Sequence, residues 1–173
     1  MVPVAPRRVL VGAGANLGEP SERLRWAVGE LRPLLLLEAV SSLYRTEPVG
    51  RSGQPDFLNL VCAGTTSLCP EALLEGLLAI ERAAGRVRTE RNAPRILDLD
   101  LLGLGDLVLE APGLTLPHPR LHERRFVLEP LVEIAPEWVH PVLGATAREL
   151  LGRLQPGPRV ERLGPLALPV EGP

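Results

Sequence analysis

A chain of 173 residues can bury one hydrophobic core without disulfides or metals as staples, so a single domain over residues 1–173 is the expectation. The formal net charge of -2, with 23% charged residues, carries no bias of the kind that draws a protein to nucleic acid or to a membrane surface, and any basic patch must be local. All 19 positive side chains are arginine, which excludes a P-loop lysine, a Schiff base and a lysine general base; phosphate, if it is handled, is handled by guanidinium.

Residues 9–12 read as a short buried strand, too brief and glycine-broken for a signal peptide, and no later run approaches a membrane span. The glycine-rich turn GAGANLG joins this strand to a helix in which Leu24, Ala27, Val28 and Leu31 recur at helical spacing. Residues 34–44 read as a second strand and residues 57–66 as a third. Between them TEPVGRSGQPD is a loop, longer than a hairpin needs, and that length goes with function. Cys62 and Cys69 fit no CxxC or zinc-ligand spacing and read as small, buried or half-buried residues of a protein kept in a reducing cytoplasm.

Pro70 and Glu71 open a second helix whose apolar face is Leu73, Leu74, Leu77, Leu78 and Ala84, with Gly85 as its end and Glu81 at a solvated edge of the stripe. After the polar GRVRTERNAPR comes a fourth strand, RILDLDLL, expected to pair with residues 107–109 across a Gly-Asp turn. The proline-studded APGLTLPHPRLHE leads into helical FVLEPLVEIAP, and a last helix is expected over residues 145–154. The glycine- and proline-rich tail from Gln155 reads as weakly structured. Strand, helix, two strands, helix, strand argues for an α+β fold, a ferredoxin-like antiparallel sheet with helices packed on it as an α/β/α sandwich.

The chemistry concentrates around residues 86–100. On a strand, residues two apart share a face, so Asp98 and Asp100 project together while Leu97, Leu99 and Leu101 project to the other side. Alone, such a pair is the exposed half of an amphipathic strand or a cation site. Arg86, Arg88, Arg91 and Arg95 lie on the loop that feeds this strand. Two carboxylates for Mg²⁺ beside bidentate guanidinium donors is what phosphoryl transfer requires, because charge spreads over the phosphate oxygens in the transition state. The plainer account is a surface salt-bridge network of little energetic value.

RNAPRILDLDLL resembles the signature of the 6-hydroxymethyl-7,8-dihydropterin pyrophosphokinases of folate biosynthesis, and GANLG, SSLYRTEPVG, PDFLN, GRVR and LPHPRLHERRFVLEPL resemble that family's other blocks in its order, over roughly residues 9–141. The resemblance implies transfer of the β,γ-pyrophosphoryl group of ATP to the hydroxymethyl group of the pterin, leaving AMP, with two Mg²⁺ ions at Asp98 and Asp100. It makes Arg86 and Arg95 the catalytic arginines and puts Arg88, Arg91, His118 and Arg124 around the nucleotide phosphates. It puts Thr46, Pro48, Val49, Phe57, Asn59 and Phe126 around the pterin, with the two phenylalanines sandwiching the flat ring and Asn59 as its amide partner; Glu81 matches a family glutamate near the site. The chain departs from the family pattern at Asn92, where many relatives carry tryptophan, and at Thr89. The expected partners are these two small molecules, with no nucleic acid or membrane, and the expected state is a cytoplasmic monomer. Two other readings compete: another Mg²⁺-dependent nucleotide-using transferase of DxD type, such as a glycosyltransferase, and a non-catalytic ferredoxin-like module.

Overall fold

A computed structural model of the chain describes residues 4–48, 53–85 and 96–167. The first strand, β1 (Arg7–Ala15), is buried from Val9 onward, as a central strand covered on both faces must be. Helix α1 (Pro20–Glu30) opens on proline, whose missing N–H costs nothing in a first turn, and buries Leu24, Ala27 and Val28. Strands β2 (Leu36–Val40), β3 (Ser42–Thr46) and β4 (Phe57–Thr66) follow. Helix α2 (Pro70–Ala83) again opens on proline and is closed by Gly85 at φ +88°, a backbone state that only glycine adopts without strain. Then come β5 (Asp98–Leu104), β6 (Leu109–Ala111), β7 (Leu114–Leu116), α3 (Arg125–Ile134), α4 (Ala147–Gly152) and β8 (Val160–Pro165).

The six-stranded sheet runs β5-β1-β4-β3-β8, with β2 also paired to β4, and every pairing in it is antiparallel. Through β5 this is the ferredoxin-like α+β order that the element sequence predicts, and β8 extends it. One face of the sheet, carrying Val9, Val11, Leu60, Cys62, Leu99 and Leu101, packs on α1 and α2 through Leu24, Val28, Leu73 and Leu77. The opposite face, carrying Leu10, Val61, Ala63 and Leu102, packs on α3 and α4 through Val127, Leu128, Leu131 and Leu150. This second layer stops short of the sheet's end, and the site opens there.

Several sequence expectations are corrected. The first strand does not give way to a turn after Gly12 but runs on through Gly14 to Ala15: β4 and β5 hydrogen-bond it on both sides and hold the glycines extended. The second strand is two, broken at Ser41, whose N–H donates to Val61 O and whose hydroxyl accepts from Val61 N–H, so that a side chain bridges the break. Residues 107–109 do not pair with β5; Leu109 starts a separate hairpin, β6–β7, whose Leu114 and Leu116 are buried. The last helix is shorter than expected, fixed at its start by a capping box between Thr146 and Glu149. The tail from Gln155, expected to be weakly structured, carries β8, paired with β3 from Ser42 to Thr46. Cys69 is exposed, and Cys62 alone is buried.

Candidate active site

Two cavities meet at the carboxylate pair of β5. Asp98 lies opposite Gly14 and Asp100 opposite Gly12 of β1, while on the other flank Gly14 faces Asn59 and Gly12 faces Val61 of β4. Directly paired residues share a sheet face, so the two glycines form a floor without side chains between Asn59 and the carboxylates. The alternation read from RILDLDLL holds: Leu97, Leu99 and Leu101 are buried on the α2 side, and the aspartates are half-buried on the other.

Above the glycine floor lies the first cavity, of about 170 Å³, lined by Phe57 and Asn59 from β4, Thr46 and Glu47 from the end of β3, Arg124 and Phe126 at the start of α3, and both aspartates. Asn59 is 8% exposed and donates from Nδ2 to Thr46 Oγ1 at 2.8 Å, which aims the amide. Space here is tight: a Cβ built on Gly14 would stand 2.6 Å from Asn59 Oδ1. The approach to β4 is anchored by Asn16 of the GANLG block, whose Nδ2 donates to Gln54 Oε1 and Pro55 O, both at 3.2 Å. Two aromatic rings, an amide and a hydroxyl around a flat slot suit a planar, hydrogen-bonding heterocycle.

The second cavity, of about 440 Å³, lies across the aspartates from the first and is more polar, with His118, Arg124, Thr115 and Glu81 in its walls. The His118 Nδ1 accepts from Arg120 N–H at 3.2 Å, which leaves Nε2 to carry the proton of the neutral ring, 4.0 Å from Asp100 Oδ1. Burial, and then the guanidinium of Arg124, hold the imidazole down to about 4, so it is neutral at pH 7 and acts as a donor rather than a cation. Arg124 lines both cavities and stacks over Phe126, its guanidinium carbon 5.5 Å from the ring centroid.

Of the residues singled out in the sequence, Thr46, Phe57, Asn59, Phe126, Asp98, Asp100, His118 and Arg124 are brought together. Pro48 is described but does not line the ring cavity, whereas the neighbouring Glu47 does. Val49, Arg86, Arg88, Thr89, Arg91, Asn92 and Arg95 lie outside the described residues. Glu81 is corrected: it is 3% exposed rather than at a solvated edge, and Oε2 accepts the Leu99 N–H at 2.9 Å. The floor of Gly12 and Gly14 was missed; its signal in the sequence is a glycine at every second position after an apolar run. Among the described residues no group of three or more His, Cys, Asp or Glu side chains could hold a metal ion, so a cation here takes only two carboxylates from them.

The model of the family 7,8-dihydro-6-hydroxymethylpterin-pyrophosphokinase matches residues 10–136. Curated relatives named 2-amino-4-hydroxy-6-hydroxymethyldihydropteridine pyrophosphokinase include one from Synechocystis sp., 43% identical over 87% of this chain and 82% of the relative. Another, from Pseudomonas aeruginosa, is 46% identical over 76% of this chain and 82% of the relative. A solved structure of Plasmodium falciparum HPPK-DHPS with pterin and p-hydroxybenzoate shares the fold at a TM-score of 0.70 and 16% identity; the match covers 86% of this chain and 42% of that one, so this chain spans less than half of that longer protein. With its signature aspartates on a ferredoxin-like sheet and a family match running from β1 to just beyond α3, the chain belongs to the 7,8-dihydro-6-hydroxymethylpterin pyrophosphokinase family.

Proposed function

We propose that the two cavities are the two substrate sites of the family's reaction, the ring cavity for the pterin and the polar cavity for ATP. The chain transfers the pyrophosphoryl group of ATP to 6-hydroxymethyl-7,8-dihydropterin, a step of folate biosynthesis that yields the pterin diphosphate and AMP. One observation carries the site assignment: both cavities are walled by Asp98, Asp100 and Arg124, so groups seated in each meet at the same carboxylates.

In this reading Phe57 and Phe126 hold the ring, and Asn59, fixed by Thr46, reads its edge. The side-chain-free floor of Gly12 and Gly14 lets the hydroxymethyl group reach the carboxylates. Its oxygen attacks the β-phosphorus, the bond from that phosphorus to the α,β-bridging oxygen breaks, AMP departs with the bridging oxygen, and the hydroxyl proton passes to solvent. Asp98 and Asp100 fit a hard divalent cation in donor type, half-exposure and adjacency, and would hold Mg²⁺, two ions with the phosphates completing the coordination. Such a cation supplies neutralisation of charge on the transferring group. Neutral His118 donates from Nε2, and Arg124 supplies a permanent planar charge. Arg86 and Arg95 complete the phosphate contacts, with Arg88 and Arg91 beside them. Val49 and Pro48 belong to the segment that edges the pterin site. The chain works as a single domain and a monomer. Among the described residues no helix is long and apolar enough to cross a membrane, and with two free cysteines a cytoplasmic setting fits.

The test is product identity after incubation with ATP, Mg²⁺ and the reduced hydroxymethylpterin. AMP and the pterin diphosphate are expected; ADP, or no turnover of the pterin, would refute the reading.

A further inference from the structure

Glu81 sits on the inward face of α2 with Leu73, Leu77 and Ile80, where an unpaired carboxylate would cost several kcal/mol on the scale of burying a charge without partners, roughly. Its Oε2 accepts the N–H of Leu99, in a buried bond of 2.9 Å. Among the described residues β5 is a border strand of the sheet, with β1 its only strand neighbour. The outward N–H groups of such a strand have no ladder to join. Leu99 presents one of these, and Leu99 stands between Asp98 and Asp100. The tilt of the peptide at Leu99 therefore sets how the two carboxylates diverge on the opposite face. Gly12 and Gly14, the β1 partners of the aspartates, have no side chains to brace them from the other flank.

We propose that Glu81 is a positioning residue for the cation site: through the Leu99 N–H it fixes the pitch of β5, so that Asp98 and Asp100 present one geometry to the metal. The inference rests on the reading that these aspartates bind the metal. It assigns Glu81 a function that depends on its acceptor oxygen. Glu81→Gln keeps an acceptor at the same reach, whereas Glu81→Met keeps the length and removes it.

The experiment titrates Mn²⁺ into each variant with a non-hydrolysable ATP analogue present, reading free Mn²⁺ by electron paramagnetic resonance, alongside thermal midpoints. Glu81→Met should weaken Mn²⁺ binding about tenfold or more, the range for groups that orient metal ligands, and Glu81→Gln, which keeps the acceptor, should bind Mn²⁺ more tightly than Glu81→Met. A Glu81→Met protein that melts lower yet binds Mn²⁺ like wild type would show a merely structural bond and overturn the proposal. So would a Glu81→Gln protein as weak as Glu81→Met. If Glu81→Met does not fold, amide exchange in the wild-type protein decides: the Leu99 N–H should be protected like an interior strand amide, and free exchange would overturn the bond itself. Asp98→Asn and Asp100→Asn run in parallel; normal Mn²⁺ binding in both would refute the cation site, and the positioning role with it, while leaving the bond between Leu99 N–H and Glu81 in place.

Discussion

Adding one methyl group to the floor of the site, Gly14→Ala, gives a sharp test of the architecture. The new Cβ would stand 2.6 Å from Asn59 Oδ1, closer than such atoms ever approach. Gly14 cannot retreat, because it is paired with Asn59 on one side and Asp98 on the other. Asn59 must therefore swing away and give up its 2.8 Å bond to Thr46 Oγ1. A lost buried hydrogen bond costs about 1 kcal/mol, and a buried amide left unsatisfied raises this to about 2–3 kcal/mol, against roughly 0.5–1 kcal/mol recovered by replacing glycine in a strand. The net cost of about 1–2 kcal/mol should lower the thermal midpoint by about 2–8 °C for a chain of this length. The larger effect is on the ring: with its amide displaced, pterin affinity should fall at least about tenfold, as loss of one well-aimed contact of about 1.4 kcal/mol implies, while affinity for an ATP analogue changes little. Calorimetric titration of both ligands, beside a melting curve, measures all three. Unchanged pterin affinity together with an unchanged midpoint would show that Asn59 is not held against Gly14 by its bond to Thr46.

Asp98→Asn and Asp100→Asn should each lower turnover by orders of magnitude, because the half-buried side chains serve the metal rather than the core; the thermal midpoint should hold, and near-normal Mg²⁺-dependent rates in both would remove the metal assignment. Phe57→Ala and Phe126→Ala should weaken pterin binding far more than nucleotide binding, and equal losses would point to collapsed packing instead. Stability should decline on acidification because of His140: burial, then the neighbouring His122 ring, hold it below its ordinary 6.5, and its Nδ1 accepts the N–H groups of Val142 and Leu143, as only the ring without a proton there can. The unfolded chain thus takes the proton first, so this contribution is complete above about pH 6.5 and is lost as the pH falls below it. Melting curves at about pH 7 and pH 5 should show a smaller difference in His140→Asn than in the wild type, and equal differences would acquit this histidine.

Where one residue's own period decides its place, the sequence was readable. Leu97, Leu99 and Leu101 alternate with Asp98 and Asp100, and a two-residue repeat needs no knowledge of neighbours to assign faces. Leu24, Ala27, Val28 and Leu31 likewise mark the buried side of α1 by helical spacing alone, and all four are buried. Glu81 defeated that logic because its partner is a backbone N–H 18 residues further on, and no property of the helix announces it. Gly14 reads as part of a turn because glycine usually marks one; only the two flanking strands make it, with Gly12, a floor. The strand β8 was hidden by the prolines and glycines around it, for a border strand tolerates such residues where an inner one would not. Phe57 and Phe126 owe their role to the resemblance, since a phenylalanine on a strand or helix is core by default.

The strand β8 has a consequence for how the protein would fail. Arg162 on it reaches Glu133 Oε1 at 2.9 Å, and the same carboxylate accepts the Ser42 hydroxyl at 2.6 Å, lacing β8, α3 and β3 together. The walls of the ring cavity hang from that lacing, Thr46 on β3 and Phe126 on α3. A protease cut just after Gln155 removes none of the proposed catalytic or binding residues, yet it strips the cover from β3 and leaves a row of unpaired backbone groups at the mouth of the pocket. A nicked molecule would lose its grip on the pterin and gain a surface on which other chains can add strands, so inactivation and aggregation would arrive together.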